Sequence, residues 1–235
     1  SWLFSYAPRS NNAAVFATAP ELASSLTTSV RGSSSAMFPK KSYSIRFTDD
    51  LGNRQAPALL DLPPHEKWAL IAPWAYDLSY LNNSFVYALS NQLGRWAPRT
   101  RLAEMYFNSN GNDIDSTDYA GIYVITDRVD VRKNRVDLAT LSPNELSGPG
   151  VTGGYILKID SADPDEIGWV TSRGSPNSGE SKVVLVAPAA GDIAPAQLTY
   201  IRDYVQRMEN ALFASRDTGW AQRSYLDYID RAAWV

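Results

Sequence analysis

Arg31-Gly32-Ser33-Ser34-Ser35 puts a guanidinium, a glycine and three hydroxyls into five consecutive residues, and Pro39-Lys40-Lys41 follows with two ammonium groups. Phosphate oxygens take charge-assisted hydrogen bonds from planar arginine and from backbone N–H groups, and glycine permits close backbone approach. From Lys41 the chain alternates. Lys41, Tyr43, Ile45 and Phe47 point one way, and Lys40, Ser42, Ser44 and Arg46 the other, which is the period of a strand. The stretch therefore reads as a phosphate-facing turn leading into a lysine-bearing strand. An ammonium at position 41 leaves water unless an anion partners it. Taken alone, the pattern fits at least as well a solvated basic turn ahead of an edge strand, with Pro39 at the strand's start.

Other chemistry is narrowed by what the chain contains. There are no cysteines, which excludes disulfides, thiolate nucleophiles and cysteine-based zinc sites. The single histidine, His65, sits in Leu62-Pro63-Pro64-His65-Glu66 and is expected to be a surface loop residue; no GxSxG nucleophile elbow is present. Gly148-Pro149-Gly150-Val151-Thr152-Gly153 matches GxGxxG, but a polar loop precedes it and a strand follows. That is the reverse of a dinucleotide-binding context, and it reads as a loop. Asp113, Asp115 and Asp118 lack the calcium-loop spacing and fit a hairpin tip. Asp160, Asp163, Asp165 and Glu166 read as a solvated loop. Asp127 closes the strand-like AGIYVITD, where a carboxylate could pair with a lysine on a neighbouring strand.

These residues need elements to place them. Thr27 to Arg31 looks extended, and Lys67 to Ala72 reads as a short buried strand ended by Pro73. Asp77 is the expected N-cap of a helix carrying Leu78, Leu81, Phe85, Ala88, Leu89 and Leu93 at helical spacing, closed by Gly94. Leu102–Asn108 and Tyr119–Asp127 predict a hairpin around SNGNDIDSTD, and Arg135 to Leu138 a short strand or turn. Gly154–Asp160 and Lys182–Ala187 predict two more strands, with a loop from Ser161 to Ser181 between them. Pro195 suits the first turn of a helix whose Leu198, Ile201, Val205, Met208 and Leu212 share a face. A short final helix is expected near Tyr225. The pattern is α+β: a mainly antiparallel sheet with one long packed helix, and further helices towards the C-terminal end. The division expected is residues 1–193 as a sheet-and-helix lobe and 194–235 as the start of a helical lobe.

With 235 residues, 44% hydrophobic and 20% charged, and a net charge of −3, the chain has ordinary globular composition and no global basic field for nucleic acid. No apolar run approaches the roughly 20 residues of a membrane-spanning helix. The chain starts without Met and stops at SYLDYIDRAAWV inside an amphipathic pattern, so it is expected to be part of something longer.

VRGSSSAMFPKKSYSIRF, KWALIAPWAYDLSYLNNSFVYALSNQLG, YAGIYVITDRVDVRKNRVDL and VTGGYILKID, in that order, resemble the CotH kinase family. The resemblance implies a divergent protein-kinase-like fold, ATP and Mg as cofactors, and phosphorylation of Ser or Thr in a protein substrate. It implies that Arg31, Ser33 and Lys41 contact nucleotide phosphates. Asp127 stands where the family usually has a glutamate, the expected partner of the nucleotide-binding lysine. Asn82 matches a family asparagine. The family's catalytic-type aspartate and its Trp-Asp-aromatic-Asp metal motif are expected beyond Val235, so the fragment by itself is expected to be inactive. The alternative is a non-catalytic kinase-fold module of a coat or surface protein. A third option is a fold-supporting portion that binds nothing itself. The family inclines the location towards the cell or spore surface and leaves oligomeric state open.

Overall fold

The computed structural model describes residues 1–6, 19–32, 34–74, 76–174, 182–221 and 223–230. The chain divides into two compact units, Ser1–Val129 and Asp130–Val235. It is an α+β protein in which the pairings between the described strands are antiparallel.

The first unit is built on a six-stranded sheet. Its strands are β1 (Trp2–Ser5), β2 (Leu22–Arg31), β3 (Ser42–Thr48), β4 (Lys67–Ile71), β5 (Thr100–Tyr106) and β6 (Tyr119–Asp127). Their spatial order is β1-β2-β3-β4-β6-β5. The alternation expected from Lys41 onward is realised in β3 from Ile45 to Phe47, where Ile45 and Phe47 are buried while Arg46 is exposed; the strand begins at Ser42, which is also buried, and Lys41 precedes it. Leu26, Ile45, Phe47, Trp68, Leu70, Tyr123 and Ile125 form the core on that face, joined by Leu59 and Leu62 from the β3–β4 connection. Each large side chain so buried stabilises the fold by roughly 1.5–3 kcal/mol.

His65 belongs to this core and not to a surface loop. It is 1% exposed, its Nδ1 accepts the Lys67 backbone N–H at 2.9 Å, and its carbonyl accepts Trp68 Nε1–H at 2.9 Å. The Pro-Pro sequence suggested exposure, but the ring closes the turn into β4 by accepting the Lys67 N–H, while the His65 carbonyl satisfies the buried indole donor, which would otherwise be costly.

Between β4 and β5 lies α1 (Asn82–Gln92). Helical spacing located it, yet it starts later than Asp77 implied. Asp77 is buried, and its Oδ2 accepts the backbone N–H of Asn82 at 3.1 Å while Oδ1 accepts Ser79 Oγ–H at 2.8 Å. Asp77 thus satisfies a helix-start donor across a short loop in which Tyr80 takes a left-handed φ of +61°. Of the expected apolar stripe, Leu78 and Leu81 precede the helix, and they, Phe85, Leu89 and Leu93 are all exposed; no α1 residue is buried. The β5–β6 hairpin forms as expected. At its tip Asp115 accepts from Thr117 N–H and Asp118 accepts from Asp115 N–H, so these carboxylates hold a turn.

The second unit carries a three-stranded sheet ordered β7-β9-β8, from β7 (Ile156–Asp160), β8 (Gly168–Trp169) and β9 (Lys182–Ala187). Strand β8 lies in the stretch expected to be loop. Helix α2 (Pro195–Asp217) begins with Pro195 in its first turn. Gln197, fully buried, takes the Ala194 N–H on Oε1 and donates from Nε2 to the carbonyls of Ser142 and Glu145. The GxGxxG match is a 3-10 turn, Gly148–Val151, inside a loop. Arg135 to Leu138 is a turn closed by a bridge between Val131 and Val136. The expected C-terminal helix is a 3-10 turn, Ser224–Asp227.

Candidate functional site

Strands β2 and β3 meet at the turn that carries the first candidate residues. Gly32 has φ +98°, and a Cβ there would come within 2.0 Å of Ser35 Oγ. Only glycine fits this corner. A 3-10 turn, Ser34–Met37, follows. Ser33 lies outside the described residues. Arg31 ends β2, paired in register with Ser42 at the start of β3. Burial, and secondarily the nearby Arg128 guanidinium, pull its pKa below the ordinary arginine value, against the opposing effect of Tyr76 and Tyr87.

The two lysines diverge. Lys41 Nζ donates to the Ala36 carbonyl at 2.7 Å, fastening the 3-10 turn. Lys40 Nζ instead reaches across to β6, donating to the Ile122 carbonyl and to Tyr80 Oη at 3.3 Å. It also lies 4.6 Å from the Tyr123 ring centroid and 5.2 Å from that of Tyr80, distances at which a cation is attracted to the ring face. Gly121, with φ +87°, leaves room for this ammonium, since a Cβ there would sit 3.1 Å from Nζ. Tyr123 Oη–H donates to the Lys41 carbonyl at 3.0 Å. Burial first, then Tyr43 and Tyr80, push the Tyr123 phenol up to about 12.

Asp127 is not brought to Lys41. Ile45 pairs with Trp68, and Trp68 with Asp127, so Asp127 is level with Ile45. Lys41 is four residues upstream, about 13 Å along the strand at about 3.3 Å per residue, and two strand spacings of about 4.8 Å away. The fully buried Asp127 carboxylate is held instead by Arg99, whose Nε lies 2.6 Å from Oδ2 and whose backbone N–H also reaches Oδ2 at 3.3 Å. Register rather than residue type decides this partnership. An arginine on the segment entering β5 is beside the end of β6, and Lys41, just ahead of β3, is at the other end of that strand.

The face of the sheet opposite the core gathers cations that motif reading did not single out. Thr27 pairs with Arg46, and Arg46 with Lys67; Arg128 follows Asp127 at the level of Lys67. Ser29 pairs with Ser44, and Ser44 with Ala69. A concavity of about 330 Å³ has Thr27, Ser29, Ser44, Arg46, Lys67 and Arg128 among its lining residues. Arg46 and Arg128 are exposed and Lys67 half-buried. The alternation had already placed Arg46 opposite Ile45; what sequence could not give was which residues of β4 and β6 lie beside it.

These elements define a class: an α+β protein whose antiparallel sheet carries a glycine-cornered, arginine-ended turn at one margin and a cationic, hydroxyl-rich face. A family model described as CotH kinase protein matches residues 28–233. The chain belongs to that family. No curated protein matches it, and no solved structure does. Among the described residues no helix is long and apolar enough to cross a membrane.

Magnesium, which the family implies, finds no group of three or more His, Asp or Glu side chains placed to hold a metal among the described residues. Arg31 and the cations of the sheet are donors of the kind that the phosphates of ATP would accept from.

Proposed function

We propose that this chain is the nucleotide-holding portion of a CotH-type atypical protein kinase, a phosphotransferase acting on Ser or Thr of a protein substrate with ATP and Mg as cofactors. Residues 1–193 serve as the nucleotide-side lobe and 194–235 open the helical lobe. The observation that carries this reading is the match of most of the chain to the CotH kinase model, with Arg31 set behind a corner only glycine can turn. Arg31, Ser33 and Lys41 contact the nucleotide phosphates. Lys41 spends its ammonium on a single neutral carbonyl, an acceptor that a phosphate replaces with a stronger charge-assisted bond. Asp127 supports the pocket by fixing the end of β6 through Arg99. A surface or spore-coat location accords with the family.

The test is ATP binding and protein phosphorylation by the complete protein, wild type against Lys41→Ala. The expected result is loss of nucleotide-dependent activity with an unchanged melting temperature. An unchanged rate would remove Lys41 from the site.

One observation favours a second reading, a non-catalytic kinase-fold module that binds an anionic partner. The acidic residue at the position of the family's glutamate is engaged by an arginine and not by a lysine. Nucleotide binding without phosphate transfer to any protein would select that reading.

A further inference from the structure

Asn110-Gly111 is the one Asn-Gly pair in the sequence. It lies in the β5–β6 connection, where Asn110, Gly111 and Asn112 are all exposed. The side-chain amide of an asparagine can be attacked by the main-chain nitrogen of the next residue, and glycine leaves that nitrogen unshielded because it has no Cβ. The space around Gly111 is open as well. It takes a φ of +77°, and a Cβ built on it would meet nothing within 4 Å.

The hydrogen bonds around the pair arrange its reacting groups. The Asn112 backbone N–H donates to Asn110 Oδ1 at 2.8 Å. It polarises Cγ, the atom under attack, and is already aimed at the oxygen on which negative charge gathers. The Gly111 N–H donates to Asn108 Oδ1 at 3.2 Å. Asn108 is itself pinned, since its Nδ2 donates to the Asn112 carbonyl at 2.8 Å and to Asp118 Oδ2 at 3.3 Å. An acceptor is thus held on the N–H that must give up its proton. The departing nitrogen, Asn110 Nδ2, donates to no described residue, so it leaves without breaking a hydrogen bond. Asn53 and Asn91 differ on both counts. Their Nδ2 groups donate to Asp49 Oδ2 and to the Tyr87 and Ala97 carbonyls, and Arg54 and Gln92 follow them.

We propose that Asn110 is a site of self-deamidation, a covalent modification that the hairpin tip carries out on itself. The Gly111 nitrogen bonds to Asn110 Cγ and the Cγ–Nδ2 bond breaks. The side-chain nitrogen leaves as ammonia, taking the Gly111 N–H proton. Water then opens the cyclic imide. Opening at Cγ gives aspartate, and opening at the main-chain carbonyl of residue 110 gives isoaspartate, in which the backbone is longer by a methylene. Water is the only co-reactant. Either product adds a carboxylate to a tip that already holds Asp113, Asp115 and Asp118, and takes the chain one unit below its net charge of −3. The isoaspartate form also shifts Gly111 relative to Asn108, which loosens the turn. The core residues of the sheet lie outside this tip, so the protein is marked with age while its fold persists. This inference stands apart from the nucleotide reading.

The experiment is timed incubation of the purified chain at neutral pH and physiological temperature, followed by peptide mapping with mass spectrometry and enzymatic labelling of isoaspartate. The same measurement is made on the chain unfolded in urea, and thermal melting checks that each variant folds. Asn110 is expected to convert in the folded chain at least as fast as in the unfolded one, giving both products, while Asn53 and Asn91 keep their amides. Since about 1.4 kcal/mol of barrier is tenfold in rate, Gly111→Ala, which shields the attacking nitrogen, is expected to slow conversion at least about tenfold. Asn110→Gln, which would need a larger ring, is expected to remove the product from that peptide. An Asn110 that stays intact in the folded chain while it converts in urea overturns the proposal, because the turn then protects the amide. So does conversion at an undiminished rate in a folded Gly111→Ala variant.

Discussion

Replacing Arg99 by alanine takes from the Asp127 carboxylate the guanidinium that lies 2.6 Å from its Oδ2. The Asp127 side chain has no solvent exposure and that of Arg99 has 29%, so water reaches one partner and not the other. Removing one member of a buried pair costs about 3–5 kcal/mol, because the remaining charge stays desolvated. At about 2–4 °C per kcal/mol, the melting temperature should fall by roughly 6–20 °C. A double-mutant cycle sharpens the test. Asp127→Asn combined with Arg99→Gln should show a coupling of about 1–3 kcal/mol, as for side chains in contact. Asp127→Asn combined with Lys41→Gln should be additive within about 0.5 kcal/mol, because their separation along the sheet exceeds 10 Å. Circular dichroism melts of the four single and two double variants decide it. An Arg99→Ala variant melting within a degree or two of wild type would refute the energetic argument. Strong Lys41–Asp127 coupling would refute the register argument.

Gly32→Ala should lower stability by about 1–2 kcal/mol through left-handed strain alone, and more once Ser35 is displaced; loss of ATP affinity should accompany it in the same protein. Gln197→Ala should cost about 1–3 kcal/mol, since it removes a fully buried side chain that hydrogen-bonds the Ala194 N–H and the carbonyls of Ser142 and Glu145, read as a shift in the urea midpoint. The Lys158–Glu166 pair, 2.8 Å apart, predicts a weak pH signature. The hydrogen bond from Lys158 chiefly holds the Glu166 pKa down. Its stabilisation is therefore present above the unfolded glutamate value of about 4.3 and is lost as pH falls through the depressed folded value. Lys158 is raised chiefly by the same hydrogen bond, so its contribution is present below about 10.4 and lost as pH rises through the raised value. Because both groups are partly exposed, the gap between wild type and Glu166→Gln should stay below about 1 kcal/mol at pH 7. It should vanish in strong acid; a gap persisting there would contradict the assignment.

Local periodicity made most elements legible. The alternation from Lys41 to Phe47, the apolar spacing from Leu78 to Leu93 and the Pro195 start each depend on neighbours a few residues apart, and a strand and two helices formed there, β3 from Ser42 and α1 only from Asn82. Boundaries moved where a side chain acted over a distance. Asp77 caps α1 from five residues away, and the buried His65 ring accepts the Lys67 N–H two residues on. Strand β8 escaped notice because its two residues owe their conformation to pairing with Val183 and Val184 and not to any period of their own.

The turn from Arg31 to Lys41 was visible in sequence because glycine, hydroxyls and cations are adjacent there. Its neighbours were not. Which lysine fastens the turn and which crosses to β6, and that Asp127 meets Arg99, follow from pairing between strands tens of residues apart. The same holds for the gathering of Arg46, Lys67 and Arg128 around one concavity. A strand's residues fix its two faces by themselves. Only the register between strands fixes which side chains share a face at the same level, and in this protein that register is what assembles charge into a candidate site.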